Sequence, residues 1–415
     1  MGEEREVPER HHDIPPAPSR RSQRGLDWFV FFLADVQTGF VPFIAVFLTT
    51  QHWTQSEIGF ALTVGGLVAL VGQIPGGALV DAVRSERLLA GLAVVAVGVS
   101  SLALVIYPTS EIVLGAAILQ AGANCLMAPA IAAISLGLVG HAAVSVRLGR
   151  NARFTAIGSI VAAAAMGLWG QWFSNHTVFL VTAALCVPAL VAICFIRGEE
   201  IDVERAHGGK AARHPGEPLA VIRSFAHNRP LVTFAVCALL FHLANAAMMP
   251  QLASAITVRS GEWATVLVGA CVIVPQLVVA TLSPWIGYRA QAVGRRRLIL
   301  ASFAALAVRG ALFAIVDNPF LLVALQILDG LAGAILSVIV PLVIADVTRG
   351  TGHFNLAVGT VGACTGVGAA LSTTLGGQIS TAFGSSATFF LLAALAALGF
   401  MLALMLMPET RPQES

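Results

Sequence analysis

The chain is a succession of long apolar runs separated by short polar turns. Runs long enough to span a bilayer, about 20 residues each, lie near 26–50, 56–80, 88–107, 112–139, 152–173 and 177–196. A polar gap from Arg197 to Arg229 follows. Six more runs come after it, near 230–257, 263–287, 298–316, 319–346, 355–381 and 386–408. The pattern predicts an all-α membrane protein of twelve transmembrane helices, six on each side of the gap. Residues 1–25 read as a disordered tail: the start is polar, carries both signs of charge and holds Pro15, Pro16 and Pro18, with no apolar core of a signal peptide. The predicted division is a bundle over 26–196, a linker over 197–229 with Gly208-Gly209, a second bundle over 230–408 and a tail over 409–415.

Arginine placement sets the expected orientation. One set of turns holds Arg84, Arg87, Arg147, Arg150, Arg153, Arg289, Arg295 to Arg297 and Arg349, while the opposite set holds Arg259 alone. Basic loops stay on the cytoplasmic side. A multi-pass protein of the plasma or inner membrane with both termini cytoplasmic is therefore expected.

Composition agrees with a bilayer environment. Hydrophobic residues make up 57% and charged residues 11%, against about 45–50% and about 25% in soluble domains. A formal net charge of +2 offers no footprint for nucleic acid. The six cysteines (Cys125, Cys186, Cys194, Cys237, Cys271 and Cys364) all lie inside apolar runs without a CxxC spacing. They read as small packing residues, with no disulfide framework, metal site or cofactor implied. No phosphate-binding GxxxxGK[ST] loop, GxSxG elbow or HExxH occurs, so ATP-driven pumping and hydrolysis are not expected.

The charged turns carry the family signal. Gly77, Leu79 and Asp81 precede Arg84 and Arg87 after the second apolar run. Gly287, Gly294 and Arg295 repeat the pattern after the eighth, with Gln291 where the first copy has Asp81. These residues resemble the signature of the major facilitator superfamily, between its second and third helices. Arg84 stands where that signature has a second glycine. The halves match elsewhere too. Asn151 precedes Gly158 by the interval that separates Asn355 from Gly362, and Leu119-Gln120 faces Leu325-Gln326. The resemblance covers about 26–408 and implies two pseudo-symmetric six-helix bundles rocking about a midplane site. It also implies that the signature turns (Gly77, Asp81, Arg84, Arg87, Gly287, Gly294 and Arg295) form a cytoplasmic gate.

Polar groups at membrane depth are costly, so each is a functional candidate. Asp35 sits about nine residues into the first run, roughly 14 Å deep at 1.5 Å per residue, where a proton carrier is expected; Gln37 points to another face. His242 and Asn245 share one helical face, and His242 is placed either for proton transfer or for a backbone carbonyl. Gln120 and Asn124 pair on the fourth helix, Gln326 and Asp329 on the tenth. The first, fourth, seventh and tenth helices line the cavity in the family, so the resemblance turns these pairs toward substrate, although amides also join helices. Arg309, well inside the ninth run, calls for an internal partner, with Asp329 nearest in sequence.

The expected function is secondary active transport of a small organic solute by alternating access, coupled to protons, in the direction of export, by a monomer in the lipid bilayer. The Gly-Pro motif of proton-antiporting exporters is absent between Gly158 and Gly170, and Ile118 stands near the place of the family's fourth-helix arginine. Two alternatives stand beside it: uptake of a small organic anion held by Arg309, and a non-transporting receptor or assembly factor on the same fold.

Overall fold

A computed structural model describes residues 18–38, 53–172, 176–209, 225–260 and 263–411, together with 48, 51 and 223. Among the described residues the chain is helical and contains no strand. Helix α1 runs Arg20–Thr38, α2 Gln55–Ala82 and α3 Glu86–Ile106. The next helical run, Ser110–Trp172, breaks at Gly140 (φ 68°, ψ 176°) into α4 (110–139) and α5 (141–172). A positive φ is open to glycine without strain, so one residue reverses the chain here. Helix α6 spans His176–Phe195, and the short α7, Val203–Ala206, lies in the link between halves. The second half holds α8 (Arg229–Asn245), α9 (Met248–Ser260), α10 (Ala264–Val293), α11 (Arg295–Ile315), α12 (Pro319–Val347), α13 (Phe354–Phe383) and α14 (Ser385–Leu406).

Nine helical stretches among the described residues are long and apolar enough to cross a membrane. One of them divides at Gly140, α8 and α9 form a single span, and α1 and α6 complete the twelve. Helix ends are set by local chemistry. Thr54 caps α2 in a capping box with Glu57, Ser85 accepts from Leu88 N at the start of α3, and Asn318 accepts from Phe320 N at the start of α12. Each satisfies first-turn N–H groups that no i−4 carbonyl reaches.

One boundary departs from the sequence pattern. Helix α5 starts at 141 rather than 152, so Arg147, Arg150 and Arg153 are helical instead of lying in a loop. Asp27 makes that possible: Arg147 Nη2 and Arg150 Nη2 each reach its carboxylate at 2.5 Å, and Asp27 and Arg147 are both buried.

Each half has an apolar core, and that of the second half extends across the interface to Leu136, Val144 and Leu148 of the first. Leu26, Phe29, Val94, Val97, Met127 and Ile134 belong to the first; Phe234, Phe241, Phe303, Ile335, Val338 and Leu342 belong to the second. Large apolar side chains such as Phe60, Val71, Leu92 and Val187 stand exposed on the outside. Helices apolar all round suit a lipid surround.

Candidate functional site

The halves meet at two joints near the end of the bundle where the arginines cluster. Helix α2 packs on α13. A Cβ at Gly77 would strike the carbonyl of Asn355, and one at Gly359 would strike that of Gln73. Helix α5 packs on α10 by the same device, with Gly149 against the Ser283 carbonyl and Gly287 against that of Ser145. Reciprocal glycines bring backbones together and close this end.

Above the joints lies a cavity of about 460 Å³. Ala128 and Ile131 (α4), Ala152 (α5), Val279 (α10), Val340 (α12) and Val358 (α13) make its walls mostly apolar. Its polar groups are Asn151, Thr155, Gln276 and Ser337. The side chains of Gln276 and Thr155 make no hydrogen bond to the described residues, which leaves one side-chain amide and one hydroxyl for a guest. Gln276 was not legible in the sequence, because it has no polar partner at helical spacing, whereas Thr155 lies four residues after Asn151.

The α2·α13 joint is charged. Asp81 accepts hydrogen bonds from Leu356 N at 2.7 Å, Asn355 N at 3.1 Å and Asn355 Nδ2 at 2.8 Å. His353, the residue before α13, offers no side-chain cap, so a carboxylate from the other half caps this helix. The first-turn N–H groups and the positive end of the helix dipole favour an anion there. A cap is worth about 0.5–2 kcal/mol, and charge-assisted bonds are the stronger kind.

The link between halves ties itself to the same joint. Phe354 N donates to the His207 carbonyl at 3.1 Å and Gly350 N to the Gly208 carbonyl at 2.5 Å. Asn355 Nδ2 donates to the Ala206 carbonyl at 3.2 Å. On the first half, Asp202 N reaches the Gly137 carbonyl at 3.2 Å, and His207 Nε2 sits 3.0 Å from Glu86 Oε1. Burial works against charge on the His207 ring, but the hydrogen bond to Glu86 and the nearby Asp81 and Glu86 carboxylates outweigh it and raise its pKa.

The α5·α10 joint is neutral. Gln291 Nε2 reaches Ser145 Oγ at 3.5 Å, and no carboxylate of the described residues bonds across it. Several residues expected at a gate instead work within their own half. Arg295 donates to Asp346 at 2.9 Å and to Gln291 at 3.2 Å. Gly294, at φ 89°, precedes α11, whose first N–H is taken by Glu409 at 2.8 Å. Arg87 donates to the Ile196 carbonyl, and Arg84 is exposed. Of the signature residues, Gly77, Asp81 and Gly287 touch across the halves. Asn151 is held by Arg147 at 2.8 Å and donates to Ser135 at 2.7 Å. Asp27, missed from sequence, and Asn355, read there only as the counterpart of Asn151, complete these networks; their partners are distant along the chain.

The deep polar residues divide into groups. The side chains of Asp35 and Gln37 lie outside the described residues. Gln120 turns toward α3, where Ser100 donates to its Oε1 at 2.8 Å. Asn124 lies one turn from Ala128 on the α4 face that leads to the cavity, and its Oδ1 has no partner among the described residues. Arg309 is buried, pairs with Asp329, and donates to Asn245 Oδ1 and toward Met248 Sδ. His242 Nδ1 donates to the Ala238 carbonyl at 3.0 Å, and Gln326 Nε2 reaches Met249 Sδ at 3.2 Å. The structure thus joins Arg309, Asp329 and Asn245 inside the second half and leaves the Asp329 side chain 30% exposed.

Two six-helix halves closed at one end around a cavity define a membrane solute carrier. The chain belongs to the Major Facilitator Superfamily, whose model matches residues 28–261 and 234–415. It is 39% identical over 404 residues to uncharacterized MFS-type transporters of two Mycobacterium tuberculosis strains, covering 96% of this chain and 94% of theirs. Among solved structures it resembles the E. coli fucose:proton symporter FucP (TM-score 0.71, 15% identity, 94% of this chain and 98% of that one). It also resembles the nucleoside transporter NupG (0.66, 16%, 94% and 100%) and the human organic anion transporter TETRAN (0.66, 15%, 93% and 100%). At such identities the likeness shows the fold.

Proposed function

We propose that this transporter exports a small, largely apolar, uncharged or weakly polar organic solute in exchange for protons. One observation carries the reading: the cavity between the halves is walled by aliphatic side chains and a few neutral hydrogen-bonding groups, and among the described residues no charged one lines it. A solute matched to that wall partitions into the bilayer from the cytoplasm, and moving it outward is the work that needs a coupled ion. Uptake of an organic anion has less support, because the guanidinium of Arg309 is occupied by Asp329 and Asn245 away from the cavity wall. The arginine-rich end, with both termini, is assigned to the cytoplasm. Asp35, roughly 14 Å into its span at 1.5 Å per residue, is assigned the proton.

The test is flux in proteoliposomes carrying a pH-sensitive dye, screened against neutral amphipathic solutes. Solute leaving on the imposed inward proton gradient, with linked dye acidification, is the expected result. Asp35→Asn should abolish uphill movement and leave solute-for-solute exchange. Concentration against a gradient by that variant would remove Asp35 from the pathway.

A further inference from the structure

We propose that the groove between α1 and α6, at the basic end of the bundle, is a binding site for an anionic phospholipid. The site lies on the outside of the first half, away from the solute cavity, and belongs to neither joint.

The groove has a volume of about 700 Å³. Arg20, Arg21 and Arg24 stand at its polar end, within the first two turns of α1, all exposed. Below them it is lined by Trp28, Phe32, Val187, Val191 and Phe195. Gly25 forms its floor, with α1 so close to α6 that a Cβ there would sit 2.9 Å from the Ala192 carbonyl. A cationic mouth at the water boundary over a long apolar trough matches a phosphate above an acyl chain.

Three further observations favour such an occupant. Among the described residues no carboxylate pairs with these three arginines: Asp27, next on the helix, is buried on Arg147 and Arg150, and Glu200 is held by Ser19 and Arg197. The Arg21 guanidinium lies 5.2 Å over the Phe195 ring, which holds it at the rim before any ligand arrives. A second depression of about 330 Å³ shares Arg21, Val187, Val191 and Phe195 with the first. The two troughs therefore meet beneath one arginine, as the two chains of a diacyl lipid meet beneath one phosphate. Trp28, 49% exposed, faces the larger trough, as an indole at a membrane boundary does.

Each basic residue near a membrane surface strengthens anionic-lipid binding about fivefold, so the three together supply on the order of a hundredfold. The experiment uses the full chain in nanodiscs and reads quenching of Trp28 by chain-brominated lipids. The contribution of Trp28 is isolated by subtracting the signal of Trp28→Phe, which the six tryptophans of the chain make necessary. Brominated phosphatidylglycerol should quench that component at a far lower mole fraction than brominated phosphatidylcholine. Arg20→Gln, Arg21→Gln and Arg24→Gln combined should bring the two lipids together, and the triple lysine variant should keep the preference. In the unmodified protein, raising ionic strength from about 0.05 M to about 0.5 M should shrink the preference, a readout that does not depend on the variant folding. Equal quenching by both lipids in the unmodified protein overturns the site, as does a preference that survives the glutamine variant. A preference that emerges only after residues 1–17 are deleted also overturns it, by assigning the groove to the acidic tail of the chain itself. None of these outcomes depends on whether the protein exports solute.

Discussion

The two joints between the halves share a backbone device and differ in charge. Both rely on a signature glycine, Gly77 or Gly287, packed against a carbonyl of the opposite half. At α2·α13 the residue four on is Asp81, which caps a helix across the interface through three donors. At α5·α10 the equivalent residue is Gln291, whose amide makes one long contact of 3.5 Å across the interface and otherwise accepts from Arg295 of its own half. Steric closeness is thus common to both, while the stronger polar attachment lies on one side. We propose that the α2·α13 joint holds the closed state, and that the halves touch and separate at the α5·α10 joint at little polar cost.

The largest expected effect lies away from both joints and sets the scale for them. Arg309 and Asp329 pair within one half, so losing Asp329 leaves the buried guanidinium short of its counter-charge, at about 3–5 kcal/mol. Losing Arg309 costs less, because Asp329 is partly exposed. Arg309→Gln and Asp329→Asn should each lower the melting temperature in detergent, and the double variant should recover most of it. Accessibility at the seal should stay constant, because the pair does not cross between halves. A double variant as unstable as the sum of the singles would mean that the two are not energetically paired.

Next come the glycines. Gly77→Val and Gly287→Val each drive a side chain into a backbone carbonyl that cannot turn aside, at about 3 kcal/mol, the upper end of overpacking costs. Both should raise labelling of a cysteine placed at Ser337, in a background without the native cysteines, by a soluble thiol reagent presented to the basic end. Equal effects at the two joints would show that the steric part is shared. An effect at one alone would remove that symmetry.

Removing the charge should separate the joints. Asp81→Ala leaves the donors of Asn355 and Leu356 without their acceptor, at about 1–3 kcal/mol. That is roughly 5–150-fold in the ratio of closed to open, read as the same cysteine labelling. Gln291→Ala loses a long neutral contact and should change labelling less than about twofold. Matching changes in the two variants would abolish the distinction drawn here.

The smallest effect is the pH dependence of the strap at the charged joint. The pKa of His207 is raised in the folded protein, so its contribution is complete below its unfolded value of about 6.5 and is lost as pH rises through the raised value. Its charged neighbours are Glu86 and Asp81. Labelling at Ser337→Cys should therefore increase modestly from acid to alkaline pH. His207→Gln should flatten that profile, and an unchanged profile in the variant would assign the dependence to another group.

The spans, their pairing into halves and the two signature turns were legible in the sequence, because a bilayer imposes length and apolarity on each segment separately. The Arg309–Asp329 pair was legible for a related reason: two charges on consecutive apolar runs have few other places to go. Tertiary structure alone decided what Asp81 holds. Its partner Asn355 lies 274 residues away, and nothing in residue spacing says which helix end a carboxylate will meet. The same holds for Asp27, which reads as an ordinary polar residue at the edge of a span until α5 brings Arg147 and Arg150 to it. The link around His207 reads as a solvated spacer by composition, yet its carbonyls take up N–H groups at the turn into α13 and its ring meets Glu86. Local polarity is set by the chain, whereas the choice of partner depends on which backbone groups are left unsatisfied where the halves come together.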